Sequence, residues 1–157
     1  MSKNVSLAEL YDVMEEMLSS GGSVNFNPRG TSMLPLLHND GDRVTLERRE
    51  NVKKYDIPLY RREDGTFVLH RIVGVNKDGT FNMCGDNQWV IEKNIDKSRI
   101  IGVVSLIERK GKKISTTSLL YRIYAVIWVA VMPLRHIFIG GARKIKNILF
   151  QTKRRKK

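Results

Sequence analysis

Between residues 24 and 114 the chain is a series of short apolar runs rich in β-branched and aromatic residues, at 24–26, 44–46, 58–60, 67–75, 80–83 and 100–107. The turn signals Asn39-Asp40-Gly41, Asp64-Gly65, Asp78-Gly79 and Lys110-Gly111 separate many of them. Short strands punctuated by Asx-Gly pairs predict antiparallel hairpins, because only residues tolerant of positive φ close such turns cheaply. The expected class is therefore mainly β. Ahead of this region Ser6 and Glu9 match a capping box, and Leu7, Leu10, Tyr11, Met14, Met17 and Leu18 recur at helical spacing until Gly21-Gly22. An amphipathic helix is expected over 6–19, giving three segments: an N-terminal helix at 1–22, a β domain at 23–117 and a helical tail at 118–157.

A chain of 157 residues can bury one core without staples. The single cysteine, Cys84, rules out an intrachain disulfide and points to a reducing compartment. No Cys/His pairs stand at ligand spacing, so no metal and no cofactor is called for. The first residues, Met1-Ser2-Lys3-Asn4 and a charged segment, lack the basic start and apolar run of a secretory signal, which predicts a cytoplasmic location.

The net charge of +12 suggests nucleic acid until its distribution is considered. Residues 1–117 carry 18 Lys and Arg against 16 Asp and Glu, whereas 118–157 carry 10 basic residues and no acid. The charge belongs to the tail, which argues against a nucleic-acid partner for the domain. Within the tail, residues 123–134 form an uncharged run of 12 residues, short of the roughly 20 that a spanning helix needs. Trp128, Tyr124 and Phe138 mingle with Arg122, Arg135, Arg143, Lys144 and Lys146, and 153–157 is polybasic. Such a segment fits a helix lying against an anionic membrane surface over 119–157, placing the protein at the periphery of a membrane. The alternatives are a helical hairpin broken at Pro133 and packed on the domain, and a true span, which would place Arg135 inside the hydrocarbon.

Three motifs can carry chemistry. Ser32 sits in Arg29-Gly30-Thr31-Ser32-Met33-Leu34-Pro35, where a turn can present a hydroxyl with its own backbone N–H turned to an oxyanion, although serine in such a context is commonly a turn or cap residue. His70 sits in the β-prone run Val68-Leu69-His70-Arg71-Ile72-Val73, which would hold an imidazole rigidly among apolar neighbours as a base near neutral pH, or as an ordinary strand histidine. In one continuous strand His70 and Ile72 would face one way and Arg71 the other. Asp86, in Cys84-Gly85-Asp86-Asn87, can orient His70, or can bond its own turn.

In this order and spacing, Gly-Thr-Ser-Met-Leu-Pro-Leu-Leu at 30–37, Gly41-Asp42-Arg43-Val44, the strand at 56–60, Leu-His-Arg-Ile-Val-Gly at 69–74 and Gly85-Asp86-Asn87 resemble the signal peptidase I superfamily, which also includes the self-cleaving repressors of the SOS response. With His70-Arg71 where most bacterial members have lysine and arginine, the chain is similar to the histidine-bearing branch. The resemblance implies a strongly bent, barrel-like antiparallel β fold that binds an extended peptide by strand addition. It further implies Ser32 as nucleophile, His70 as base, Asp86 as the acid, and Met33 lining the cleft for small side chains. A further carboxylate of the family falls on Glu92, one methylene longer than expected. Gly30 stands where many members carry a serine that helps hold the oxyanion, a duty that would pass to Thr31 or to backbone N–H groups.

The expected function is that of a serine endopeptidase removing a leader or signal segment from a peptide substrate. Two other classes stand beside it: a non-catalytic peptide-binding module of the same fold, which Gly30 favours, and an autoproteolytic regulator, which the acidic helix at 6–19 disfavours.

Overall fold

A computed structural model describes residues 11–39 and 41–134. The capping box at Ser6 and Glu9, Asp40 of the 39–41 turn, and the tail from Arg135 onward, His136 and the polybasic end included, lie outside the described residues.

Helix α1 (Tyr11–Ser19) is followed by β1 (Ser23–Phe26), β2 (Arg43–Glu47), β3 (Pro58–Arg61), β4 (Phe67–Leu69), β5 (Arg71–Val75), β6 (Phe81–Cys84), β7 (Glu92–Ile95), β8 (Ile100–Arg109), β9 (Lys112–Ser115) and helix α2 (Leu119–Ala130). The architecture is mainly β, as the runs and turns predict, with antiparallel pairing throughout. One sheet has the order β1-β2-β8-β3-β4 with β9 also on β8, the other β5-β6-β7, and the sheets are not closed into a barrel. The predicted turns at 64–65, 78–79 and 110–111 join β3 to β4, β5 to β6 and β8 to β9. Lys110 and Gly111 both have positive φ, 49° and 76°, the conformation of a tight two-residue hairpin whose twist matches its strands. Asp64 and Asp78 each accept a hydrogen bond from the backbone N–H two residues on, Thr66 and Thr80, which closes the other two turns.

The apolar run at 67–75 is two strands, not one. The chain leaves the larger sheet at Leu69 and enters the smaller at Arg71, so His70 occupies the junction. Strand alternation fails there because both sheets contribute cover, and His70, Arg71 and Ile72 are all buried. Two strands escape the sequence pattern, β7 and β9. Both are short and rich in charge or amide groups, the composition of edge strands, and only their pairing with β6 and β8 defines them.

One core cluster draws Met14 and Leu18 from α1, Val44, Leu46, Leu59 and Ile107 from the larger sheet, and Tyr121 and Ala125 from α2. Both helical segments thus pack into the same interior as the strands. A second cluster, Tyr60, Ile72, Phe81, Met83 and Ile95, fills the space around the smaller sheet. Among the described residues no helix is long and apolar enough to cross a membrane.

Candidate functional site

Ser32 lies in the long connection between β1 and β2, which the structure holds at both ends. At the near end the Asn87 backbone N–H donates to the Ser32 carbonyl at 2.7 Å, and the Asn87 side-chain amide donates to the Thr31 carbonyl at 3.1 Å. Gly85 packs so closely that a Cβ there would stand 2.7 Å from the Ser32 carbonyl oxygen, and that oxygen belongs to the backbone. At the far end Asp42, buried to 1%, accepts from the His38 backbone N–H at 2.8 Å and from Arg109 at 2.9 Å. Arg109 also donates to the Leu36 carbonyl. Arg109 keeps the Asp42 carboxyl below its usual value, although burial pushes the other way.

Gly85→Ala is expected to cost about 1–3 kcal/mol, the usual range for overpacking, because neither backbone can retreat without breaking the Asn87 bond. Thermal unfolding reads that loss, and a wild-type Tm would show that the contact is softer than its geometry.

Ser32 and His70 line one pocket of about 250 Å³, together with Met33, Arg62, Val68 and Gln88. Met33 lines this pocket and also belongs to the buried core. Among the described residues no hydrogen bond joins Ser32 Oγ to His70, and no acceptor is found for the Ser32 backbone N–H. Gly30 has φ of +98°, a region that suits glycine and would strain a serine. Thr31 is exposed and is not part of the pocket lining, and the loop uses its carbonyl to receive Asn87.

Around His70 the structure departs from the expected relay. His70 Nδ1 lies 3.2 Å from Glu92 Oε1 and 3.3 Å from the Tyr60 hydroxyl. The side chain retains 2% exposure. A carboxylate only accepts, so Nδ1 is assigned the proton and Nε2 the lone pair. Glu92 is itself gripped by Arg62, which donates Nε at 2.8 Å and a terminal nitrogen at 2.5 Å, a fork that fixes the plane of the carboxylate. Burial alone would lift the Glu92 carboxyl, but the bonds from Arg62 and the Tyr60 hydroxyl hold it below its ordinary value. Burial, reinforced by Glu92, pushes the Tyr60 hydroxyl up, which keeps it a neutral phenol. For His70 itself burial dominates and lowers the pKa from 6.5; Glu92 opposes that shift and Arg62 adds to it. A buried imidazole that is neutral at pH 7 and anchored through Nδ1 has the electronic state of a general base.

Asp86, expected to orient His70, is instead the partner of Arg71. Its two oxygens accept from Arg71 at 2.7 and 2.6 Å, with both side chains buried, and it reaches His70 only as a weaker Coulombic influence. The reason lies in the strand break at His70, which turns Arg71 inward where it must find an anion. Burial works against the guanidinium's charge, but Asp86 outweighs it and Arg71's pKa is raised. Arg71 also donates to the Tyr55 carbonyl and to the Tyr121 hydroxyl of α2, both at 3.1 Å.

The carboxylate that lies beside His70 is thus Glu92, the longer one, with Arg62 and Tyr60 against it. Neither of these two stands out in the sequence. Tyr60 and Arg62 do lie two residues apart along β3 and its continuation, a spacing that puts side chains on one face, but nothing local marks that face as the one beside His70. Among the described residues no cluster of His, Cys, Asp and Glu could hold a metal ion. No family model matches the chain, and no curated protein matches it either.

Proposed function

We propose that the protein is a serine endopeptidase of the signal-peptidase type, cutting a leader or signal segment from a peptide. The observation that carries this reading is the placement of Ser32 and of a buried, Glu92-anchored His70 on one pocket. β4 supports it further, because it is the edge strand of the larger sheet and residues 67–69 line the same pocket, where an extended peptide can add as a further strand.

In this reading His70 Nε2 takes the proton of Ser32 Oγ as the oxygen bonds to the scissile carbonyl carbon. The oxyanion that forms is held by the Ser32 backbone N–H, for which the described residues offer no other acceptor. Collapse breaks the C–N bond, and His70 returns its proton to the departing amine. Water then attacks the ester with His70 again as base, releasing the acid and restoring the Ser32 hydroxyl. Glu92 stabilises the imidazolium that exists during both steps.

The test is covalent labelling by a serine-reactive peptide probe with small residues before its reactive carbon. Wild type is expected to label at Ser32, with Ser32→Ala unlabelled and His70→Ala slowed by about 10²–10⁴, the usual worth of a positioned base. Equal behaviour of all three proteins would overturn the reading. Saturable binding of the probe without a covalent adduct would replace it with a non-catalytic peptide-binding module, which the absence of a Ser32–His70 hydrogen bond among the described residues favours.

A further inference from the structure

Helix α2 is apolar on both sides. Its inner face sends Tyr121 and Ala125 into the core, and Ser118 caps its start by accepting from the Tyr121 N–H. The opposite face presents Leu119, Leu120, Ile123, Val126 and Ile127, continued past the helix by Leu134, and every one of these is exposed. Leu120 at 82% and Leu119 at 74% are the most exposed large apolar side chains among the described residues. A helix lying on a globular domain in water normally carries polar residues on its outer face, whereas one that is hydrophobic all round is covered on all sides. Arg122 is the one charged residue of α2, and it flanks the apolar face.

We propose that the outer face of α2 docks on the surface of an anionic phospholipid bilayer. Charge selects this occupant. From Arg135 to Lys157 the sequence adds nine Lys and Arg and no Asp or Glu, so a second copy seated on the face would bring a like-charged segment beside its own. A bilayer with anionic headgroups offers the complementary charge and an apolar layer at the depth that leucine and isoleucine side chains reach. The inner contacts leave α2 firmly seated while its outer side chains insert, since Tyr121 is held by Arg71 and Asp86 behind it. Docking does not require Ser32 to be reactive, so a protein that fails to label can still bind lipid.

The experiment is co-sedimentation of the full chain with vesicles of phosphatidylglycerol and phosphatidylcholine, against vesicles of phosphatidylcholine alone. Wild type is expected to bind the anionic vesicles and to weaken as salt rises, and Ile123→Glu with Ile127→Glu is expected to lower that partition at least about tenfold. Both positions are exposed, so thermal unfolding of the double variant should match wild type. Unchanged sedimentation of the double variant would overturn the proposal, leaving binding to the basic residues alone. A drop in its Tm without loss of vesicle binding would overturn it in favour of a segment of the chain covering the face. A wild-type dimer that the same substitutions dissociate, with no vesicle binding, would assign the face to a second copy.

Discussion

Asp86→Ala is expected to destabilise the protein by about 3–5 kcal/mol, the penalty for breaking a buried ion pair from one side, because it strands the Arg71 guanidinium in an interior with no exposure. Denaturant unfolding measures it directly. The damage should not stop at the pair: Arg71 ties the Tyr55 carbonyl and the Tyr121 hydroxyl to the same spot, and the 85–87 turn that carries Asp86 also clamps the Ser32 backbone. A double-mutant cycle adding Arg71→Met is expected to show strong coupling, with the double variant recovering part of the loss, since the two charges are removed together. Were Asp86 the group that orients His70, Asp86→Ala would instead retain nearly all its stability and lose its rate.

Glu92→Gln is expected to show the converse, a loss of about 10²–10⁴ in labelling or turnover with little change in stability, because an amide facing Nδ1 can stabilise the wrong imidazole tautomer and cannot support an imidazolium. Its pH profile separates this role from simple disruption. Burial holds the His70 pKa below 6.5, so the wild-type rate should rise with pH along a limb centred below 6.5 and be level by neutrality. Removing the carboxylate removes the negative charge that favours the protonated ring, and the limb should move to lower pH still. A limb that stayed in place would show that Glu92 does not bear on the base. Stability carries the same signature: the unfolded chain takes up its His70 proton near 6.5 and the folded chain only lower, so the folded state binds fewer protons in that window. This part of the stability is present above 6.5 and is lost as pH falls from there through the folded value.

The strands were readable where a hydrophobic run met a turn, as at Pro58–Arg61, Phe67–Leu69 and their joining Asp64-Gly65, because alternation and positive φ are local properties. The polar edges β7 and β9 were not, since charged residues on an edge strand resemble a loop until a neighbour pairs with them. Residue type and context mark Ser32 and His70 as candidates only beside an ordinary turn and strand reading, and it is the resemblance that joins them. Which carboxylate served which cation could not: Asp86 and Glu92 are both plausible by position, and the choice depends on where Arg71 and Arg62 point.

What the sequence determined on its own is the mainly β, hairpin-built class, the presence of helical segments before and after it, and the segregation of positive charge into the tail, all of which follow from period, turn chemistry and composition. What only the tertiary structure decided is the break of the 67–75 run at His70, and everything that depends on it. Once the chain crosses between sheets there, both sides of the strand are interior, Arg71 is buried and takes Asp86, and His70 is left facing the carboxylate that Arg62 holds in place. Long-range burial sets those pairings, because the cost of an unpaired buried charge exceeds any local preference of the turn that carries it.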